Sequence, residues 1–180
     1  MTDRSTTQVD VFVRLLDHTL EETAAEFGWD HWHSLIRNLS TVEPADWDAL
    51  PAGGGRTIRQ IVRHLGMTYL MHQDRAFGDG KRAWGALDID GIEPGESPDE
   101  MTAWLRAAHG RFRDSVASLS DDALDAHRIV AWGGSLEVRR LVEIMIQHAL
   151  YHVGEINHIR ALLQGNDDWD HEDMGRDEPT

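Results

Sequence analysis

Apolar residues recur at helical spacing along most of the chain. Between residues 9 and 39, Phe12, Leu15, Leu16, Leu20, Ala24 and Phe27 form one stripe, and Trp32, Leu35, Ile36 and Leu39 continue it. Gly28 falls between the two halves, where it either kinks one long helix or separates two shorter ones. Residues 40–55 read as a connection, because they hold Pro44, Pro51 and three consecutive glycines. Trp47 and Leu50 are the side chains expected to anchor that connection to the core. Thr57 is placed to cap the next helix, since its hydroxyl can accept from an otherwise unpaired backbone N–H. Ile58, Ile61, Val62, Leu65 and Tyr69 follow at helical spacing, and the pattern runs to about Phe77. Residues 78–98 are rich in Gly, Asp and Pro, a loop long enough to cover or line a site, with Trp84 and Leu87 expected to pin it.

Ser97 or Asp99 caps a third helix that carries Met101, Trp104, Leu105, Ala108, Phe112 and Val116 and runs to about Leu119. Residues 120–125 suggest a short capped turn, and Gly133-Gly134-Ser135 a second hinge-like break. The last helix is expected from near Leu136 to about Leu163, with Gly165 just beyond its end. No segment shows a strand pattern. The expected fold class is therefore all-α, a four-helix bundle with long crossover loops. Its expected extent is a single domain over residues 1–165, followed by an acidic, solvated tail over 166–180.

Composition narrows the chemistry. A chain of 180 residues suits one domain with a sizeable core. It has no cysteine, so it offers no disulfide, thiolate nucleophile or thiolate metal ligand, which fits a cytoplasmic setting. A net charge of -15 repels phosphate backbones, so no nucleic acid partner is expected. No run reaches the roughly 20 apolar residues of a membrane span, and the polar start of the chain has no signal core behind it, so no membrane partner is expected either.

The informative stretch lies in the last helix. His148 and His152 stand four residues apart, hence one above the other on one helix face. Leu141, Met145, Ala149, Ile156, Ile159 and Leu163 run along or beside that face, so both imidazoles are expected to point inward. A buried ring nitrogen must be hydrogen-bonded or metal-bound. His64, between Ile61 and Leu65 on another helix, is the natural third member. Three neutral imidazoles suit Zn²⁺, Ni²⁺ or Fe²⁺ better than Mg²⁺ or Ca²⁺, and leave a coordination position open. Pairs at this spacing also arise by chance in a chain with eleven histidines.

Other residues have two readings each. Glu155, three past His152, is a candidate catalytic base, an acceptor for a ligand N–H, or a surface or intersubunit glutamate. His72 reaches a pocket rim or is an ordinary exposed histidine, and His158 points too far round the helix to be a ligand. Asp74 or Arg75 could orient a polar substrate, Trp132 could wall a pocket, and Arg139, Arg140 or Arg160 could bind a cofactor carboxylate or make surface ion pairs. Ser135 lacks the strand–elbow–helix context of a hydrolase nucleophile.

Ile61-Val62-Arg63-His64-Leu65, followed by His148-x-x-x-His152-x-Gly154-Glu155-Ile156, resembles the DinB/YfiT-like superfamily of four-helix-bundle metalloproteins. The segment 56–60 is similar to the family's entry into its second helix, and 156–163 to a branch associated with bacterial thiol-dependent transferases. The resemblance implies a divalent metal on His64, His148 and His152. It also implies a metal-dependent enzyme that transfers or uses a low-molecular-weight thiol, such as mycothiol or bacillithiol, on a small electrophilic substrate. The alternatives are hydrolysis by metal-bound hydroxide, with Glu155 as base, or a non-catalytic, stress-related metal-binding module. A homodimer is expected under all three.

Overall fold

The computed structural model describes residues 6–21 and 34–166. Its helices are α1 (Gln8–Leu20), α2 (Leu35–Ser40), α3 (Ile58–Phe77), α4 (Pro98–Ala117) and α5 (Val138–Gln164). Ala24, Phe27, Gly28 and Trp32 of the predicted first stripe lie outside the described residues, as does nearly all of the predicted acidic tail.

Three of the four long helices, α1, α3 and α4, begin where the sequence supplies a side-chain cap, whereas Glu137 ahead of α5 makes no such bond. Thr7, Thr57 and Ser97 accept from the N–H three residues on, and Asp10, Gln60 and Glu100 return the bond to the cap backbone. Ser97 rather than Asp99 therefore sets the start of α4. Gly165 closes α5 in the left-handed conformation at φ 68°, where a residue without Cβ is favoured.

The apolar stripes meet in one core. Leu16 of α1, Ile58, Ile61 and Leu65 of α3, Met101, Leu105 and Phe112 of α4, and Leu141, Met145 and Ile156 of α5 are fully or almost fully buried in it. α3 packs on α4 and α5, and α1 packs on α4 and α5, which makes a four-helix bundle of α1, α3, α4 and α5. Trp47 is buried and anchors the connection after α2, whereas Leu50 is exposed and does not. Among the described residues, no helix is long and apolar enough to cross a membrane.

A small hairpin was not expected. β1 (His127–Ile129) pairs antiparallel with β2 (Ser135–Glu137), and the Gly133-Gly134 break is its turn, with φ 83° and 97°. The strands are three residues long and β1 is exposed throughout, so no alternation of apolar and polar positions marks them. The hairpin shifts the start of α5 from Leu136 to Val138, whose N–H reaches the Ala126 carbonyl at 3.0 Å.

The loop after α3 is tied down at several points. Arg75 donates to the carbonyls of Gly80 and Arg82, and Asp74 accepts the Arg82 N–H at 3.0 Å. Trp104 of α4 donates its indole N–H to the Leu87 carbonyl at 2.8 Å. Asp74 and Arg75 thus hold the loop and do not line the cavity described below.

Candidate metal centre

α5 and α3 bring three imidazoles to one point. His148 and His152 lie one turn apart on the inward face of α5, and His64 faces them from α3. The Nε2 atoms of His64 and His148 are 3.1 Å apart, as are those of His152 and His148. One ring nitrogen from each histidine lies within 4.8 Å of the other two. The rings meet edge to face, with centroids 4.6 to 5.0 Å apart. His152 is buried, and His64 and His148 are half-buried.

Hydrogen-bond accounting explains what such a cluster can hold. His152 Nδ1 lies 2.7 Å from Glu155 Oε2. A carboxylate only accepts, so the proton sits on Nδ1 and a neutral His152 presents a bare lone pair on Nε2. His148 Nε2 faces both other rings, and one N–H there could satisfy only one of them. Three converging nitrogens with too few protons between them suit a cation. Two ligands each about 2.0–2.1 Å from a single ion lie roughly 3.0–3.4 Å apart, which brackets the two closest pairs.

Electrostatics point the same way. Burial lowers the pKa of all three rings, that of His148 to about 4, and their mutual proximity lowers His64 and His148 further. Neutral imidazole is the form that ligates metals. Glu155 opposes the shift at His152. Its other oxygen accepts from Arg56 Nη2 at 2.6 Å, immediately before the Thr57 cap of α3. Arg56, Glu155 and His152 therefore form a relay that fixes one ring.

A cavity of about 180 Å³ opens beside the cluster. His64 and His148 form one edge of it, and Met71, His72, Trp84 and Trp132 are among its other walls. His72 is buried, not an exposed histidine as one reading of the sequence had it, and its ring stands edge-on to Trp132 at 4.8 Å. Trp132 lines the cavity, and the long loop contributes Trp84. Met67 and Met71 were not singled out in the sequence. Their spacing of three and seven residues from His64 puts them on the same face, and that was the available signal.

The remaining candidates stand elsewhere. Arg139 pairs with Asp125 and Arg140 with Glu143, as surface arginines usually do. Arg160 is buried and donates to Gln164 at 3.1 Å, and His158 is exposed.

A family model described as the DinB superfamily matches residues 24–156, a span that includes the three clustered histidines and Glu155. No curated protein and no solved structure matches the chain.

Proposed function

Because the chain belongs to the DinB superfamily, we propose that it is a metal-dependent enzyme that uses a low-molecular-weight thiol on a small electrophile. His64, His148 and His152 are the proposed ligands. The observation that carries this reading is the convergence of their three Nε2 atoms, two pairs of them at 3.1 Å. The donor set is all imidazole, which favours Zn²⁺, Ni²⁺ or Fe²⁺. A divalent ion held there supplies Lewis acidity, lowering the pKa of a thiol or water so that more of it is nucleophilic at neutral pH.

The protein's own groups do the rest. Glu155 keeps the His152 proton on Nδ1 and Arg56 holds Glu155, so the two are positioning residues. The chain has no cysteine, so the reacting sulfur must arrive with a cosubstrate. The thiol, as opposed to water, rests on the resemblance of 156–163 to thiol-dependent members. Hydrolysis is the second reading. It is weakened because Glu155, its candidate base, is engaged through both carboxylate oxygens. The same proposal includes a homodimer, for which exposed Tyr151 and Leu162 on α5 are suitable and which light scattering would test.

The direct test is metal analysis of untagged protein beside His148→Ala. We expect one metal per chain in the parent and most of it lost in the variant; equal content in both would end the metal reading. Metal-loaded protein is then given a model electrophile with a panel of bacterial thiols. Turnover only with a thiol is the expected result. Turnover with water alone would establish hydrolysis instead, and retained metal without turnover would establish a binding module.

A further inference from the structure

The cavity beside the histidines has walls of an unusual kind. α3 contributes Met67 and Met71, α5 contributes Ile144 and Met145, the hairpin contributes Trp132 and the long loop contributes Trp84. Among the described residues, no arginine, lysine, aspartate or glutamate lines it. A carboxylate or phosphate held against these walls, away from the histidine edge, would lose its water and meet no cationic side chain, which costs several kcal/mol. Charge is therefore disfavoured on the part of the substrate that fills the cavity.

Size and wall chemistry say what is favoured. A dry cavity of about 150 Å³ accommodates benzene, so one of about 180 Å³ takes a single six-membered ring with a small substituent. Three thioethers surround the space, and sulfur sits favourably against the edge of an aromatic ring while the flexible side chain adapts to its outline. At the mouth, Trp84 and Trp132 are 68% and 57% exposed. Large aromatic surface left in water beside a cavity is surface for a ligand to cover, and indoles stack on flat rings. His72 steadies one of them. Its Nδ1 accepts the Ala131 N–H at 3.4 Å and its ring edge meets Trp132, so the buried histidine braces the hairpin side of the mouth.

We propose that this cavity binds an uncharged, single-ring aromatic group of the substrate and presents the ring's substituent to the edge formed by His64 and His148. The inference deepens the metal-centre reading and rests on it for the meaning of that edge, but ring binding can be measured independently.

The probes are benzyl alcohol and benzoate, which share a ring and differ in charge. Their binding is followed by ligand-observed NMR, in metal-loaded protein and in protein stripped by chelator, so that direct carboxylate–metal contact is separated out. In stripped protein, benzyl alcohol should bind at least roughly tenfold more tightly than benzoate. Trp84→Ala and Trp132→Ala, both at exposed positions that the core does not need, should each weaken benzyl alcohol by roughly fivefold to tenfold. Ile144→Phe, which fills the space, should abolish binding. Metal content should be unchanged in all three variants. Equal affinity for the two probes, or benzyl alcohol binding that none of the variants alters, would overturn the proposal. A failure of the metal-centre reading would show instead in the metal content of His148→Ala, with ring binding intact.

Discussion

Glu155 shows what one side chain can contribute without touching a substrate. Its carboxylate joins His152, 2.7 Å away on its own helix, to Arg56 on the far side of the α3 cap. Removing an outer partner of a ligating histidine typically weakens metal binding by about 10–100-fold, because ring orientation and basicity are both lost. Glu155→Ala should therefore lower zinc affinity within that range, as read by competition with a chromophoric chelator. Glu155→Gln, whose amide oxygen can still accept the Nδ1–H, should recover much of the loss, and Arg56→Ala should fall between the two. Unchanged affinity in all three would leave Glu155 as a surface residue. At this scale the sequence was partly legible. Helical spacing brought His148 and His152 to one face, and His64 followed from its place between Ile61 and Leu65. The Arg56–Glu155 bond spans 99 residues, and no local pattern encodes such a pair. Of the two readings of His72 the pocket one holds, and its burial was not legible because Ala131 and Trp132 of the hairpin, an element the sequence did not announce, pack against it.

Between elements, the closest fit is α3 against α4. A Cβ added at Gly66 would lie 2.3 Å from two atoms of the Trp104 ring, so glycine is what lets the indole approach α3 this closely. Trp104 also carries the loop through its bond to Leu87, so moving it disturbs the wall that holds Trp84. Gly66→Ala gains helix propensity of up to about 1 kcal/mol but must displace a buried ring, a kind of overpacking that costs about 1–3 kcal/mol. Net destabilisation of about 1–2 kcal/mol is expected. Gly154 is the control. It is exposed on α5 with nothing within 4 Å of its would-be Cβ, so Gly154→Ala should stabilise by about 0.5–1 kcal/mol. Urea denaturation of both variants decides the matter, and a gain in Gly66→Ala would contradict the packing argument. The helices themselves were readable because caps and stripes agree, from Thr57 to Gly165. The hairpin was not, because strands of three residues are too short to show a period and the paired glycines look like any loop.

For the whole molecule, the question is what joins α1 to the bundle as pH changes. Arg113 of α4 pairs with Asp17 of α1 at 3.0 Å, and beneath that pair His109 Nε2–H donates to the Leu16 carbonyl at 3.2 Å. His109 is 3% exposed and stands edge-on to buried Tyr69. Burial pushes its pKa down to about 4; Asp17 of α1 and Glu21 just beyond it oppose the shift, and Arg113 adds to it. In the unfolded chain the same ring titrates near 6.5. Between these values the unfolded state binds the extra proton, so the contribution is complete above pH 6.5 and is lost as pH falls toward 4. At pH 5 the loss amounts to about 2 kcal/mol relative to neutral pH. Other groups titrate in this window too, including the three clustered histidines, and with a net charge of -15 the protonation of surface carboxylates relieves repulsion in the opposite direction. The raw pH profile therefore does not isolate His109, whereas a difference does. In His109→Gln, whose amide N–H can keep the bond to Leu16, the fall in unfolding free energy from pH 7.5 to pH 5 should be about 2 kcal/mol smaller than in the parent protein. A constant offset between the two profiles, with the same slope, would mean that His109 supports α1 by shape alone and that acid loosens the bundle elsewhere.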